Sequence, residues 1–203
     1  TRIYANDEAA SYFQSALKLL EEKEGGFQEK TSILEKLGDI KRFIGEYHEC
    51  LKLWNDALLL WEQMLDKENV SRLHRKMAYV LWESLGDTEK AVEHQNKALA
   101  LLETEPESIE LARLYDDMAR MYWRMGNTDK GRPLAEKALE FAKKLNDYEI
   151  IATSCLSLGT IFGMKGDGKK AVEFTETALE IALDNKYMET AIRAYNNLAV
   201  HLP

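Results

Sequence analysis

The strongest constraint in this chain is a period. Glycines at 45, 86, 126 and 166 stand 41, 40 and 40 residues apart, in "GEY", "GDT", "GNT" and "GDG". Glycine takes the left-handed backbone that closes a helix, and Asp87, Asn127 and Asp167, each just after one, are placed to cap a following helix. Each glycine therefore marks the corner of a helical hairpin. Twelve residues beyond each stands an alanine (Ala57, Ala98, Ala138, Ala178), and five beyond each a small residue (Cys50, Ala91, Gly131, Ala171). Small residues seven apart share one face of the second helix and let the first helix approach closely. The first helix offers Leu37 and Gly38, Met118 and Ala119, Leu158 and Gly159, then Leu198 and Ala199. The second copy departs, with Ala78 followed by the bulky Tyr79, so its hairpin is expected to pack more loosely or to rotate. The frame extends back to Tyr4, Ala9 and Ala16.

Apolar residues recur at spacings of three and four along the whole chain, strand-like alternation is missing, and only three prolines interrupt the pattern. The chain reads as all-α, built of stacked antiparallel helical hairpins. It is expected to form one solenoid over residues 1–203. A half repeat contributing a second helix occupies 1–23, complete hairpins occupy 31–66, 72–104, 108–145 and 148–184, and a half repeat contributing a first helix occupies 190–203. The chain opens at Thr1 inside a helix-like pattern, without an initiator Met or a signal segment, and so reads as a piece of something longer or a trimmed chain. Both ends look cut. In "AIRAYNNLAVHLP" the last helix is expected to expose Ile192, Tyr195, Leu198 and Val200, a surface for end-to-end self-association.

Charge and spacing exclude several functions. A net charge of −8 lacks the basic footprint that nucleic-acid binding requires. Apolar runs such as "ALLLW" at 57–61 fall far short of the roughly 20 residues that span a bilayer, so no membrane partner and a cytoplasmic location are expected. Cys50 and Cys155 have neither disulfide-framework nor zinc spacing and read as small buried residues. The histidines, His48, His74, His94 and His201, fall in different hairpins, with no cluster of ligand or triad spacing. "GMKGDGKK" at 163–170 lacks the spacing of a phosphate loop and occupies the place of a turn. No catalytic residue, cofactor or metal is expected, and the chain is not read as an enzyme.

These residues resemble the tetratricopeptide repeat (TPR) family. Its pattern of Leu-Gly, Gly-x-Tyr, Ala, aromatic and Ala is matched by Leu37, Gly38, Gly45, Tyr47, Cys50, Trp54 and Ala57, and again by Leu158, Gly159, Phe162, Gly166, Ala171 and Ala178. The usual TPR period is about 34 residues, so this longer one implies longer helices. The extra residues fall between hairpins, in stretches such as "DKENVS" and "KKLNDYEI". The resemblance implies a TPR-like α-solenoid, a right-handed superhelix whose first helices line a concave groove that binds a protein or peptide. Groove positions then include Lys36 and Arg42, Lys76 with Met77 and Val80, and Leu156, Ser157 and Thr160. They also include Arg113, Asp117, Arg120, Trp123 and Arg124, and finally Asn196 and Asn197. Asn197 stands where TPR peptide binders often keep an Asn that bonds the ligand backbone. The arginines beside Trp123 suit an acidic segment; the alternative is that Asp116 and Asp117 pair with Arg120 at helix spacing and Trp123 fills the core. The long period is also similar to that of spindle-orientation adaptors and kinesin light chains. "TRIYANDEAASYFQSALKLLEE" at 1–22 resembles the junction of STAND-class signalling ATPases and related cyclases with a C-terminal TPR sensor, which implies ligand or partner sensing on behalf of an upstream ATPase.

Overall fold

All four turn glycines take the left-handed conformation, with φ of 84°, 71°, 79° and 81° at Gly45, Gly86, Gly126 and Gly166. They do so in a computed structural model that describes residues 11–13, 15–19 and 26–201. Every regular element among the described residues is α-helix. The helices are α1 Phe27–Phe43, α2 Tyr47–Gln63, α3 Lys67–Glu83, α4 Thr88–Leu102, α5 Ile109–Arg124, α6 Thr128–Leu145, α7 Tyr148–Met164, α8 Gly168–Asp184 and α9 Met188–His201. Residues 11–13 and 15–19 are also helical.

Caps fix where the helices begin. The side chains of Asp87, Asn127 and Asp167 accept from the backbone N–H three residues on, at 3.1, 3.1 and 3.2 Å. Asp66 and Asp147 do the same at the starts of α3 and α7. Between hairpins the chain turns on left-handed residues that are not glycine, Leu65, Asn146 and Lys186. These connections are short, so the extra residues of the period lie within the helices, of which α1, α2, α3, α7 and α8 are each 17 residues long.

The chain divides at Leu102 and Glu103 into two compact units. In the first, α1 pairs with α2 and α3 with α4. Gly38 makes room for Trp54: a Cβ there would lie 2.4 Å from Trp54 Cδ1. Trp54 is wholly buried, and its indole N–H donates to the Glu35 carbonyl at 3.3 Å. In the next hairpin Tyr79 takes the place of Gly38 and stands half-buried, edge-on to Trp82. Leu17, in the helical stretch ahead of α1, packs against this unit's core. Tyr4 and Ala9 of the extended frame lie outside the described residues.

The second unit contains α5 to α9. Its core centres on α7, which touches α5, α6, α8 and α9 and is buried on most of its surface. Leu156, Leu158 and Ile161 are almost fully buried, and Phe162 stacks on Phe174 with ring centroids 5.5 Å apart. A Cβ at the small position Gly131 would lie 3.1 Å from the Ala119 carbonyl oxygen, and Gly159 faces Thr175. On α9 the expected exposed face is found for Ile192 (61% exposed), Tyr195 and Val200, but Leu198 is only 8% exposed. Leu198 falls on the same stripe as the buried Ala191 and Ala194, the face turned to the rest of the unit.

Candidate functional site

In the second unit, polar side chains tie the first helices of successive hairpins together. Asp116 of α5 is buried and accepts from Ser154 Oγ and Ser157 Oγ of α7, at 3.2 and 3.4 Å. Burial raises the Asp116 carboxyl above the usual carboxylate range, with the nearby Arg120 charge working the other way. Asn197 of α9 donates from Nδ2 to Thr160 Oγ1 of α7 at 2.9 Å, which fixes its amide plane. Asp117, Ser157 and Asn197 occupy the same place in successive repeats.

The guanidinium groups sit among these contacts. Arg113 reaches Glu149 at 3.3 Å and Asp147 at 3.9 Å, both at the start of α7. Arg120 pairs with Asp117 at 2.6 Å, three residues back on α5, as the helix-spacing alternative requires. Arg124 and Asn196 are exposed. Trp123 packs against the core of the unit, and its buried indole N–H has no hydrogen-bond partner among the described residues. Arg113, Asp117, Arg120, Asn196 and Asn197 thus lie on helices of one unit, with Trp123 turned to core packing.

The groove positions of the first unit have other occupations. Lys36 is exposed, its Nζ 5.6 Å from the Phe13 ring centroid, and Arg42 is exposed in the last turn of α1. Lys76 Nζ lies 2.5 Å from Asp39 and 4.5 Å over the Trp54 ring. Met77 and Val80 are buried, as are Leu156 and Ser157 in the second unit, so none of these four is an exposed position on the first-helix face that the repeat frame expects. The spacing argument missed Glu35. Its carboxylate accepts two bonds from Arg72, at 2.6 and 2.8 Å, and a third from Trp61 Nε1 at 2.7 Å. Arg72 lies 37 residues after Glu35, close to one repeat, and that offset was the available signal.

Two histidines placed in different hairpins by the sequence reading are in fact partners. His74 on α3 and His94 on α4 share one hairpin, with Nδ1 atoms 2.9 Å apart and ring centroids 5.0 Å apart. Both fall within the hairpin expected over 72–104, one on each helix, so the spacing itself already put them together. Cys50 and Cys155 are free and buried, and burial pushes their thiols up to about 12 and about 11. Gly166 and Asp167 in "GMKGDGKK" form a turn and a helix cap.

The tetratricopeptide repeat family profile matches residues 29–104 and 110–184. The chain is similar to BtubC (BKLC) from P. vanneervenii, with 19% identity over 90% of this chain and 75% of that one, and a TM-score of 0.76. It is also similar to a Podosopora anserina protein assigned as a kinesin light chain with nearly identical TPR-like repeats. That likeness has 16% identity, covers 91% and 90% of the two chains, and gives a TM-score of 0.66. At these identities the likeness is one of fold. No match is found among curated proteins.

Proposed function

The chain belongs to the tetratricopeptide repeat family, and from that premise we propose that it is a non-catalytic interaction module. It holds a partner's acidic segment on the first-helix face of the second unit, along α5, α7 and α9. The observation that carries this reading is the row of side chains on that face. Asn197 is fixed by Thr160 and Asp116 by Ser154 and Ser157, while Arg113 and Arg120, on the same helix as Asp116, are held in ion pairs that an incoming carboxylate can join. A guanidinium has five N–H donors, so one intramolecular carboxylate does not exhaust it. An extended segment would bond its backbone to Asn197 and its acidic side chains to Arg113, Arg120 and the exposed Arg124.

The proposal places the module in the cytoplasm, where its two free cysteines suit a reducing compartment. No described helix is long and apolar enough to cross a membrane. The alternative, a sensor acting on an attached ATPase, rests on the likeness at residues 1–22. Apart from 11–13 and 15–19, that stretch lies outside the described residues.

An affinity pull-down from source lysate tests the main reading, comparing the chain with a variant in which Arg113, Arg120 and Arg124 are all changed to Glu. Circular dichroism checks that the variant folds. A protein partner retained by the original and lost by the folded variant supports the site. Identical partners on both would reduce these arginines to surface charges and refute it.

A further inference from the structure

The first unit carries a groove of about 770 Å³ to which the repeat frame assigns no role. It is walled by apolar side chains from three helices, Leu58 and Leu59 of α2, Val70 and Met77 of α3, and Ala100 and Leu101 of α4. Pockets that enclose small ligands run from about 300 to 1,000 Å³ and are mostly apolar with a few placed polar groups. Here the placed polar groups include the His74–His94 pair, which lines the same groove.

That pair breaks the repeat. The equivalent positions hold Ile33 and Leu53 in the hairpin before, Leu114 and Leu134 in the hairpin after, and Ser154 and Phe174 in the one beyond. His74 is only 5% exposed, and burial holds both imidazoles below the ordinary histidine range, His74 at about 4. Two neutral imidazoles bonded Nδ1 to Nδ1 have one solution: one ring donates its Nδ1 proton and the other carries its proton on Nε2. Whichever ring donates, the pair keeps one Nε2–H donor and one Nε2 acceptor.

Charge decides what such a groove accepts. Its lining carries Lys67 and Lys97 against one carboxylate, Glu62, in a chain whose net charge is −8. Lys97 lies one turn beyond His94 on α4, and its charge acts on both imidazoles, with the neighbouring Glu93 opposing it at His94. Leu101 lies one turn further along. From His94 to Leu101 is about 10 Å at the helical rise per residue, the length of a saturated chain of roughly eight to ten carbons.

We propose that this groove binds an amphiphilic monocarboxylate, with its carboxylate between Lys97 and the imidazole pair and its apolar tail along Leu58, Leu59, Met77 and Leu101. The site is independent of the arginine face in the second unit.

Isothermal titration with decanoate, decylammonium and 1-decanol tests the proposal. The expected result is saturable binding of one decanoate per chain, at least tenfold tighter than decylammonium. Lys97→Glu, at an exposed position, should weaken decanoate at least tenfold and narrow its advantage over decylammonium. Ala100→Glu, also exposed, should weaken all three ligands, with the circular dichroism spectrum unchanged in both variants. His94→Leu, which installs the residue of the following hairpin, should cost decanoate affinity and leave 1-decanol unaffected. Equal affinity for decanoate and decylammonium, or decanoate binding that both exposed variants leave intact, would overturn the proposal. So would dimerisation of the chain that Leu59→Glu abolishes without any decanoate binding, which would make the groove a contact between copies. Capture of an amphipathic helical peptide that decanoate fails to displace would equally overturn it.

Discussion

Gly159→Ala tests whether small residues set the distance between the two helices of a hairpin. A Cβ at 159 would stand 2.4 Å from Thr175 Oγ1 and 3.0 Å from the Ala171 carbonyl oxygen. Thr175 is fully buried, and its hydroxyl already donates to that carbonyl at 2.6 Å, so it cannot withdraw without giving up the bond. Helix propensity alone would make the substitution stabilising by about 1 kcal/mol. Overpacking costs about 1–3 kcal/mol, and disturbing the hydroxyl bond adds about 1 kcal/mol. The net expectation is destabilisation by about 1–3 kcal/mol. The preceding hairpin supplies the control, because its equivalent residues are Ala119 and Ala135, both fully buried. Adding Thr175→Ala to Gly159→Ala rebuilds that pair and should recover most of the loss, with a coupling of at least about 1 kcal/mol in a double-mutant cycle. Urea unfolding followed by far-ultraviolet circular dichroism measures all four species. A Gly159→Ala protein more stable than the original by about 1 kcal/mol, or a strictly additive cycle, would refute the close-approach argument.

Three further outcomes follow from the same contacts. Glu35→Gln removes the charge that Arg72 grips with two bonds and should lower stability by about 1–3 kcal/mol in the same unfolding assay. The His74 pKa is depressed on folding, so between about 6.5 and about 4 the unfolded chain binds a proton that the folded one refuses. Stability should therefore fall as pH drops through that window, and replacing both His74 and His94 with Leu should remove that part of the slope in a difference curve against the original protein. Ile192→Glu with Tyr195→Glu, on the exposed face of α9, should suppress concentration-dependent association in light scattering; association unchanged by both charges would place it elsewhere.

The fold was legible because its determinants are local and repeated. Gly45, Gly86, Gly126 and Gly166 announce the turns by the backbone they need, and Ala57, Ala98, Ala138 and Ala178 mark the contact faces by their size; all four alanines are fully buried. Non-local chemistry was harder to see. Leu65, Asn146 and Lys186 are exposed and turn the chain with no glycine to signal it; the next residue's N–H closes the preceding helix, as from Asp66 to the Trp61 carbonyl, and holds them left-handed. Glu35 and Arg72 meet across two hairpins, and nothing in either one's immediate neighbours singles it out. The His74–His94 pair was legible in principle, because Leu114 and Leu134 hold the same places one repeat later. Arg113 and Arg120 came from the repeat frame and helix spacing already offered Asp117 to Arg120, whereas the Glu149 partner of Arg113 lies 36 residues on and depends on how the helices pack.

The most direct test of the proposed function is to select binders from a random peptide library on the chain and map the best one by NMR. The account predicts enrichment of acidic sequences and shifts confined to α5, α7 and α9, with the Asn197 side-chain amide and the arginine Nε–H groups prominent. It also predicts at least a tenfold loss of affinity in the Arg113, Arg120 and Arg124 to Glu variant. Enrichment of basic or uncharged peptides, or shifts that leave Asn197 and the arginines unmoved, would contradict it.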